Sequence, residues 1–302
     1  MTVFHGLSAF PITPTDPQGR VATDELGLLL ERLAAARVDS VGLLGSTGGY
    51  AYLTRAERQR AITVARAVLG GQVPVIIGIS ALRTDDAQTL ARDAQIAGAD
   101  GLLLAPMSYT PLTQEEVFQH YVAVARATDL PLCIYNNPGT THFTFDQTLL
   151  ERLGQVENVA AVKMPLPQAA AFKAELAQLR AALPDGFAIG YSGDWGCAAG
   201  LLAGADAWYS VIGGLFPAQT MQLARAAQAG NAAQTEHIES FFQPLWTLFK
   251  ALGSLRVVYA AAAQLSLTQA VPPRPILPLD PADRQRVAAA IETLGQLDTT
   301  AN

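Results

Sequence analysis

Lysine and cysteine are both scarce in this chain of 302 residues. Of its 20 basic residues only three are lysines, Lys163, Lys173 and Lys250, so arginine carries nearly all the positive charge. The two cysteines, Cys133 and Cys197, stand in apolar stretches without the paired spacing of a disulfide framework, which predicts reduced thiols. A formal net charge of −6 leaves no basic surface for nucleic acid, so we expect no nucleic-acid partner.

Long hydrophobic runs and metal-binding motifs are also missing. No stretch of about eighteen apolar residues occurs, the length that a membrane-spanning helix needs. The first residues, Met1 to His5, lack the basic and apolar stretches of a secretory leader. The four histidines show neither H-x-H nor H-x-x-x-H spacing, which argues against metal-assisted chemistry. We therefore expect a soluble, cytoplasmic protein with no membrane contact, no metal and no cofactor.

Short apolar or β-branched runs alternate with helical stretches along most of the chain, a pattern typical of βα units and a parallel sheet. Eight such units predict an α/β fold of the (β/α)8 TIM barrel type. A doubly wound open sheet fits the same alternation, but no G-x-G-x-x-G turn follows the first strand. The predicted strands cover residues 7–12, 39–44, 73–79, 100–105, 131–135, 158–163, 187–191 and 206–212.

Helix signals divide the chain into two regions. Thr54-Arg-Ala-Glu57 and Thr113-Gln-Glu-Glu116 both predict a capping box at the start of a helix. After about residue 224 the strand signal ends, and the chain is predicted to comprise a barrel domain, 1–224, and a C-terminal helical region, 225–302. The last predicted helices cover 217–229, 232–252, 254–265 and 281–296.

Lys163 is the first candidate for chemistry because catalytic residues of such barrels lie at the C-terminal ends of the strands. It ends the sixth predicted strand, directly after the apolar run 159–162. A buried amine is more readily neutral, and it can then attack a ketone to form an imine, which arginine cannot do. A lysine whose amine reaches solvent or pairs with a carboxylate fits this position as well.

Two further groups are predicted at the same rim. Tyr135 ends strand five, so its phenol should lie beside Lys163 and could transfer the protons that imine formation requires, although a tyrosine that merely packs its ring fits too. The segment Gly45-Ser46-Thr47-Gly48 follows strand two. Its hydroxyls and backbone N–H groups suit a carboxylate, but an ordinary glycine-rich βα loop would have the same sequence.

Together these segments resemble the dihydrodipicolinate synthase / N-acetylneuraminate lyase family over nearly the whole chain. The matching segments, in family order, are Gly45-Ser-Thr-Gly48 followed by Leu53-Thr-Arg-Ala-Glu-Arg58, Tyr135-Asn-Asn-Pro138, Val162-Lys163 and Ser192-Gly-Asp194. The resemblance implies an eight-stranded barrel with a C-terminal helical region, usually assembled as a homotetramer of two tight dimers, that needs no cofactor.

The resemblance also implies roles for individual residues. Lys163 would be the Schiff-base lysine and Tyr135 the catalytic phenol. Ser46 would serve the proton relay and Thr47 the substrate carboxylate. Tyr209 would contribute a backbone carbonyl near the site.

Four positions depart from the family pattern. Gly49 replaces the glutamate of G-[ST]-T-G-E, and Met164 replaces an acidic residue that commonly follows the lysine. Thr140 stands where dihydrodipicolinate synthases present an arginine to the carboxylate of aspartate semialdehyde. Ser108 aligns with a tyrosine that those enzymes contribute across the dimer interface, and Tyr109 is adjacent as a substitute.

These departures favour a catabolic lyase that forms a Schiff base with pyruvate or a related 2-oxo acid. Its reaction would be aldol cleavage or dehydration of a 2-keto-3-deoxy or hydroxy-oxo acid. Two alternatives stay open: 4-hydroxy-tetrahydrodipicolinate synthase of lysine biosynthesis, and a catalytically silent barrel that binds a 2-oxo acid or a partner protein.

Overall fold

The computed structural model describes residues 3–168 and 171–297, and in it eight parallel strands close into a barrel in chain order. Pairing of β1 with β8, from Gly6↔Ala207 to Ala9↔Ser210, closes the sheet, so an open doubly wound sheet is wrong. All eight predicted strands are confirmed, although their paired segments are mostly shorter than the apolar runs. The strands are β1 Gly6–Ala9, β2 Ser40–Leu43, β3 Val75–Gly78, β4 Gly101–Leu104, β5 Leu132–Tyr135, β6 Val159–Pro165, β7 Ala188–Ser192 and β8 Ala207–Ser210.

Amphipathic helices cover the outside of the barrel. In α1, Leu26, Leu29, Leu30 and Leu33 recur at helical spacing and are all buried against the outer face of the sheet. The strands are therefore covered on both faces, which explains why they read as continuous apolar runs. The helices up to the eighth strand are α1 Thr23–Ala35, α2 Arg55–Leu69, α3 Thr84–Ile96, α4 Gln114–Ala125, α5 Pro138–Thr141, α6 Gln147–Gly154, α7 Phe172–Ala182 and α8 Asp194–Leu202.

One of the two predicted capping boxes is complete. Thr113 and Glu116 exchange both hydrogen bonds at the start of α4, as predicted. Thr54 Oγ1 accepts from the backbone N–H of Glu57 at 3.3 Å, but the Glu57 carboxylate accepts from Val21 N at 2.8 Å. The full box at Thr54 is therefore wrong, because a tertiary donor takes the carboxylate and ties α2 to the segment before α1.

Aromatic rings fill the barrel interior below the site. Phe10, Tyr135 and Tyr209 belong to one buried cluster. Two glycines make room for them: a Cβ at Gly42 would lie 2.2 Å from the Phe10 ring, and one at Gly190 would lie 2.6 Å from the Tyr209 ring. Any side chain at these two positions would displace the rings that surround the site.

The C-terminal helices were predicted correctly and pack against the barrel. Phe242 and Trp246, in the helix Ala232–Leu252, are fully buried and stacked, with ring centroids 5.1 Å apart. The predicted boundary at residue 224 falls within the helix Pro217–Gln228, and the division of the chain into 1–224 and 225–302 stays a prediction. Residues 298–302 of the second region lie outside the described residues. These helices are α9 Pro217–Gln228, α10 Ala232–Leu252, α11 Ser254–Gln264 and α12 Pro281–Gly295.

Both cysteines are free and buried, in agreement with the prediction of reduced thiols. Burial raises the pKa of the Cys133 thiol to about 12, so this thiol stays protonated at neutral pH. Within the described ranges, no helix has the length and apolar character needed to cross a membrane.

Candidate active site

A cavity of about 660 Å³, here called the central cavity, opens at the C-terminal ends of the strands. Strand ends and βα loops bring together residues that are far apart in the sequence, as is usual for the catalytic face of a barrel. Of the sequence-predicted residues, five line this cavity: Ser46, Thr47, Tyr135, Thr140 and Lys163. Lys163 is the one lysine or arginine among the described lining residues.

Lys163 is buried, with 4 % of its surface exposed. Its Nζ lies 4.1 Å from the ring centroid of Phe10 and 4.2 Å from that of Tyr135. No carboxylate within residues 3–168 and 171–297 forms an ion pair with it. The alternative in which the lysine reaches solvent or pairs with a carboxylate is therefore wrong: the amine packs between two aromatic rings.

The phenol of Tyr135 lies directly beside this amine. Tyr135 and Lys163 are register partners on β5 and β6, which places both side chains at the same level of the barrel. Tyr135 Oη accepts a hydrogen bond from Asn137 Nδ2 at 3.0 Å and lies 3.4 Å from Ser46 Oγ. Two polar groups thus contact the hydroxyl, on a ring that packs against the Lys163 amine.

Asn137 is a site residue that sequence reasoning missed. Its Nδ2 donates to Thr140 Oγ1 as well as to Tyr135 Oη, at 3.0 Å in each case. The amide therefore connects the phenol to the threonine at the mouth of the cavity. The segment Tyr135-Asn-Asn-Pro138 was noticed as a family match, yet a pattern in sequence cannot say which amide turns towards the phenol.

The loop that carries Ser46 and Thr47 depends on its glycines. A Cβ at Gly45 would lie 2.6 Å from the Phe10 ring, and one at Gly48 would lie 3.1 Å from the backbone of Leu44. The loop can therefore fold closely over the barrel end, with Thr47 only 7 % exposed. Both Ser46 and Thr47 line the central cavity, and their binding of a substrate carboxylate stays a prediction.

The Asp194 carboxylate lies beside the site and forms hydrogen bonds that hold neighbouring elements together. It is buried and accepts hydrogen bonds from Trp208 Nε1 and Ile212 N, both at 2.8 Å. Burial raises the pKa of the Asp194 carboxyl, and the two donors act against that rise. The carboxylate thus joins the start of α8 to the turn after β8.

Three predicted residues do not line the central cavity. The Tyr209 side chain lies inside the barrel, with its ring centroid 5.5 Å from Lys163 Nζ and its Oη 3.5 Å from Cys133 Sγ. Ser108 donates to the backbone carbonyl of Thr110, and Tyr109 is 96 % exposed. A role for the last two requires a second subunit and stays a prediction. Phe10, which packs on the amine, was not foreseen.

The fold and these contacts define a class of protein: a (β/α)8 barrel with a buried lysine at the end of a strand, in a cavity at the catalytic face of the barrel. The family model described as "Dihydrodipicolinate synthetase family" matches residues 3–294. The chain belongs to this family, and it is a lyase of the class I, pyruvate-dependent aldolase type.

Individual relatives agree with this membership. A 4-hydroxy-tetrahydrodipicolinate synthase from Alcanivorax borkumensis is 30% identical over 289 residues, which is 95% of this chain and 96% of that protein. A dihydrodipicolinate synthase structure from Agrobacterium tumefaciens is 61% identical, with a TM-score of 0.96 over 97% of this chain and 98% of that chain. A chloride-inhibited dihydrodipicolinate synthase from Acinetobacter baumannii, complexed with pyruvate, is 26% identical, with a TM-score of 0.89 over 98% and 100%.

Proposed function

We propose that Lys163 forms a Schiff base with pyruvate or a related 2-oxo acid, and that the protein cleaves or dehydrates a 2-keto-3-deoxy or hydroxy-oxo acid in catabolism. The observation that carries the proposal is the buried Lys163 amine, packed between two rings and directly beside the Tyr135 phenol. An amine in this setting, without a carboxylate to hold it, is suited to attack a carbonyl carbon.

The reaction starts when the Lys163 nitrogen attacks C2 of the 2-oxo acid. The resulting carbinolamine loses its hydroxyl as water: the Tyr135 hydroxyl gives its proton to the leaving oxygen and becomes a phenolate, and the nitrogen keeps its proton in a protonated imine. The Asn137 amide keeps that hydroxyl in position. The hydroxyls of Ser46 and Thr47 bind the substrate carboxylate next to C2.

In the cleavage direction, the imine draws the electron pair of the C3–C4 bond towards its nitrogen. The bond breaks, the C4 hydroxyl passes its proton to the Tyr135 oxygen, and an aldehyde leaves. C3 of the remaining enamine takes up a proton, and water then hydrolyses the imine to release pyruvate and the free Lys163 amine. Condensation follows the same steps in reverse.

The hydroxyl of Thr140, at the mouth of the central cavity, favours a second substrate with a hydroxylated group there over one with an anionic group. Its Oγ1 already accepts from Asn137, and no arginine lines this cavity in the described part of the chain. Aspartate semialdehyde would therefore place its carboxylate beside a hydroxyl instead of a guanidinium. Charge-assisted hydrogen bonds from a guanidinium contribute roughly 1.5–3 kcal/mol each, so their loss weakens binding strongly.

A second candidate is 4-hydroxy-tetrahydrodipicolinate synthase. The names of the relatives favour it, including a protein from Methylococcus capsulatus that is 35% identical over 234 residues, 77% of this chain and 79% of that protein. Both candidates share the imine at Lys163 and differ in the second substrate.

The proposal also includes the assembly and location of the protein. It would be a cytoplasmic homotetramer in which the exposed Tyr109 reaches a neighbouring subunit.

Steady-state kinetics distinguish the two candidates. With pyruvate as the common substrate, we expect kcat/KM for aspartate semialdehyde to be at least about 10²-fold below that for the best hydroxylated aldehyde, because the position of Thr140 lacks a cation. Thr140→Arg should recover about 10-fold or more of the efficiency with aspartate semialdehyde. Efficient cyclisation of aspartate semialdehyde by the unmodified protein would establish the second candidate instead.

A further inference from the structure

Three aromatic rings surround Lys163 Nζ and are here called the aromatic cage. The ring centroids of Phe10, Tyr135 and Tyr209 lie 4.1, 4.2 and 5.5 Å from this nitrogen. A cation within about 6 Å of a ring centroid is attracted by the negative face of the ring, and more strongly where water is excluded. Lys163 is buried, so water is largely excluded from these contacts. The cage therefore favours a positive charge at the nitrogen.

The carboxylate nearby does not take over the task of the cage. In the described part of the chain, one acidic side chain lines the central cavity, that of Asp194. Its carboxylate accepts from Trp208 Nε1 and Ile212 N, and it acts on Lys163 electrostatically without forming an ion pair. An ion pair would also bind the hydrogens that the nitrogen must give up when it attacks a carbonyl carbon. Ring faces attract the positive charge and leave those hydrogens unbound.

Phe10 is the member of the cage whose effect can be isolated. Its backbone N–H donates to Ser210 O at 2.8 Å, which fixes the chain just after β1. The ring is buried and meets the Tyr209 ring edge-on, with centroids 6.1 Å apart. Gly42 and Gly45 leave it space that any side chain would take away. Because the phenylalanine side chain has no polar atom, it can act on the nitrogen only through its volume and its ring face.

We propose that the aromatic cage stabilises the protonated form of the imine at Lys163, and that Phe10 is a catalytic residue because its ring contacts the reacting nitrogen. The inference rests on the proposed function, since it requires an imine to form. The protonated imine has one hydrogen on its nitrogen and a positive charge shared with C2. Loss of that proton gives a neutral imine, which draws electrons from the C3–C4 bond far less. The cage opposes this loss and keeps the imine in the form that cleaves the bond.

The test changes the ring face of Phe10 and keeps its shape. Phe10 is replaced by phenylalanines with one, two and three ring fluorines, which withdraw electrons from the face of the ring. Pyruvate is kept saturating, so that the free amine does not contribute. Intact mass then gives the rate of reduction by cyanoborohydride, which reduces the protonated imine, across neutral and alkaline pH.

Two further sets of proteins accompany this series. The matched control is the same fluorination at Phe4, a fully buried ring of the same interior cluster that lies outside the cage. Phe10→Leu keeps an apolar side chain and removes the ring face altogether. Thermal unfolding is measured for every protein, so that a loss of stability is not mistaken for an effect on the imine.

We expect the pH at which the reduction rate falls to half its maximum to move downwards with each fluorine at Phe10, because a less stabilised cation loses its proton at lower pH. The change over the series should be about one pH unit, or about 10-fold weaker proton binding by the imine. Phe10→Leu should move it in the same direction, and the Phe4 series should leave it in place.

An unchanged half-maximal pH across the Phe10 fluorine series, or an equal change in the Phe4 series, overturns the assignment of the cage. Failure to trap pyruvate in the unmodified protein would instead overturn the proposed function itself.

Discussion

Lys163→Arg is expected to abolish turnover while the barrel stays folded. Arginine keeps the positive charge and much of the length of the side chain, but its guanidinium does not lose a proton and cannot form an imine. The change tests chemistry and not charge, because Lys163 forms no ion pair with a described carboxylate. Turnover should be measured with the best 2-oxo acid substrate, and circular dichroism should follow the fold.

The other two lysines provide matched controls. Lys173 and Lys250 are both exposed and lie on helices outside the barrel interior. Lys173→Arg and Lys250→Arg should therefore keep full activity. Near-normal turnover by Lys163→Arg would remove this residue from the mechanism.

Tyr135→Phe is expected to lower kcat by about 10²-fold or more, the usual scale for the loss of a positioned proton-transfer group. Phenylalanine keeps the ring that packs 4.2 Å from Lys163 Nζ, so the amine should stay in place. What disappears is the hydroxyl that contacts Asn137 and Ser46. Single-turnover and steady-state rates with the unmodified protein as reference measure the effect.

Tyr191→Phe is the control for this change. Tyr191 is a buried tyrosine on β7 that packs against Phe172 and does not line the central cavity. Loss of its hydroxyl should leave kcat within about twofold, because it touches no reacting group. An unchanged kcat in Tyr135→Phe would return Tyr135 to a packing role.

The barrel and the core of the site were predictable because both depend on local patterns. Eight apolar runs separated by helical stretches define the strands. Parallel neighbours then bring the ends of strands five and six together, so Tyr135 and Lys163 could be placed side by side from their positions alone. Scarcity of lysine made Lys163 conspicuous in advance.

Contacts that depend on tertiary geometry were not predictable. Phe10 follows β1, 153 positions before Lys163, and nothing in its local sequence shows that its ring packs on that amine. The Glu57 carboxylate binds Val21 N instead of closing the box at Thr54, since a donor distant in sequence is close in space. Likewise, Gly49 was recognised as a departure from the sequence alone, but only the fold shows that a Cβ at this position would lie 3.9 Å from Pro273 Cγ.

The imine at Lys163 is the central claim, and borohydride trapping tests it most directly. The protein is incubated with pyruvate and borohydride, its intact mass is measured, and the modified peptide is mapped. With only three lysines in the chain, the assignment is unambiguous. We predict one reduced pyruvate adduct per chain, located at Lys163 and absent from Lys163→Arg. No adduct, or an adduct at Lys173 or Lys250, would contradict the account and favour a catalytically silent barrel.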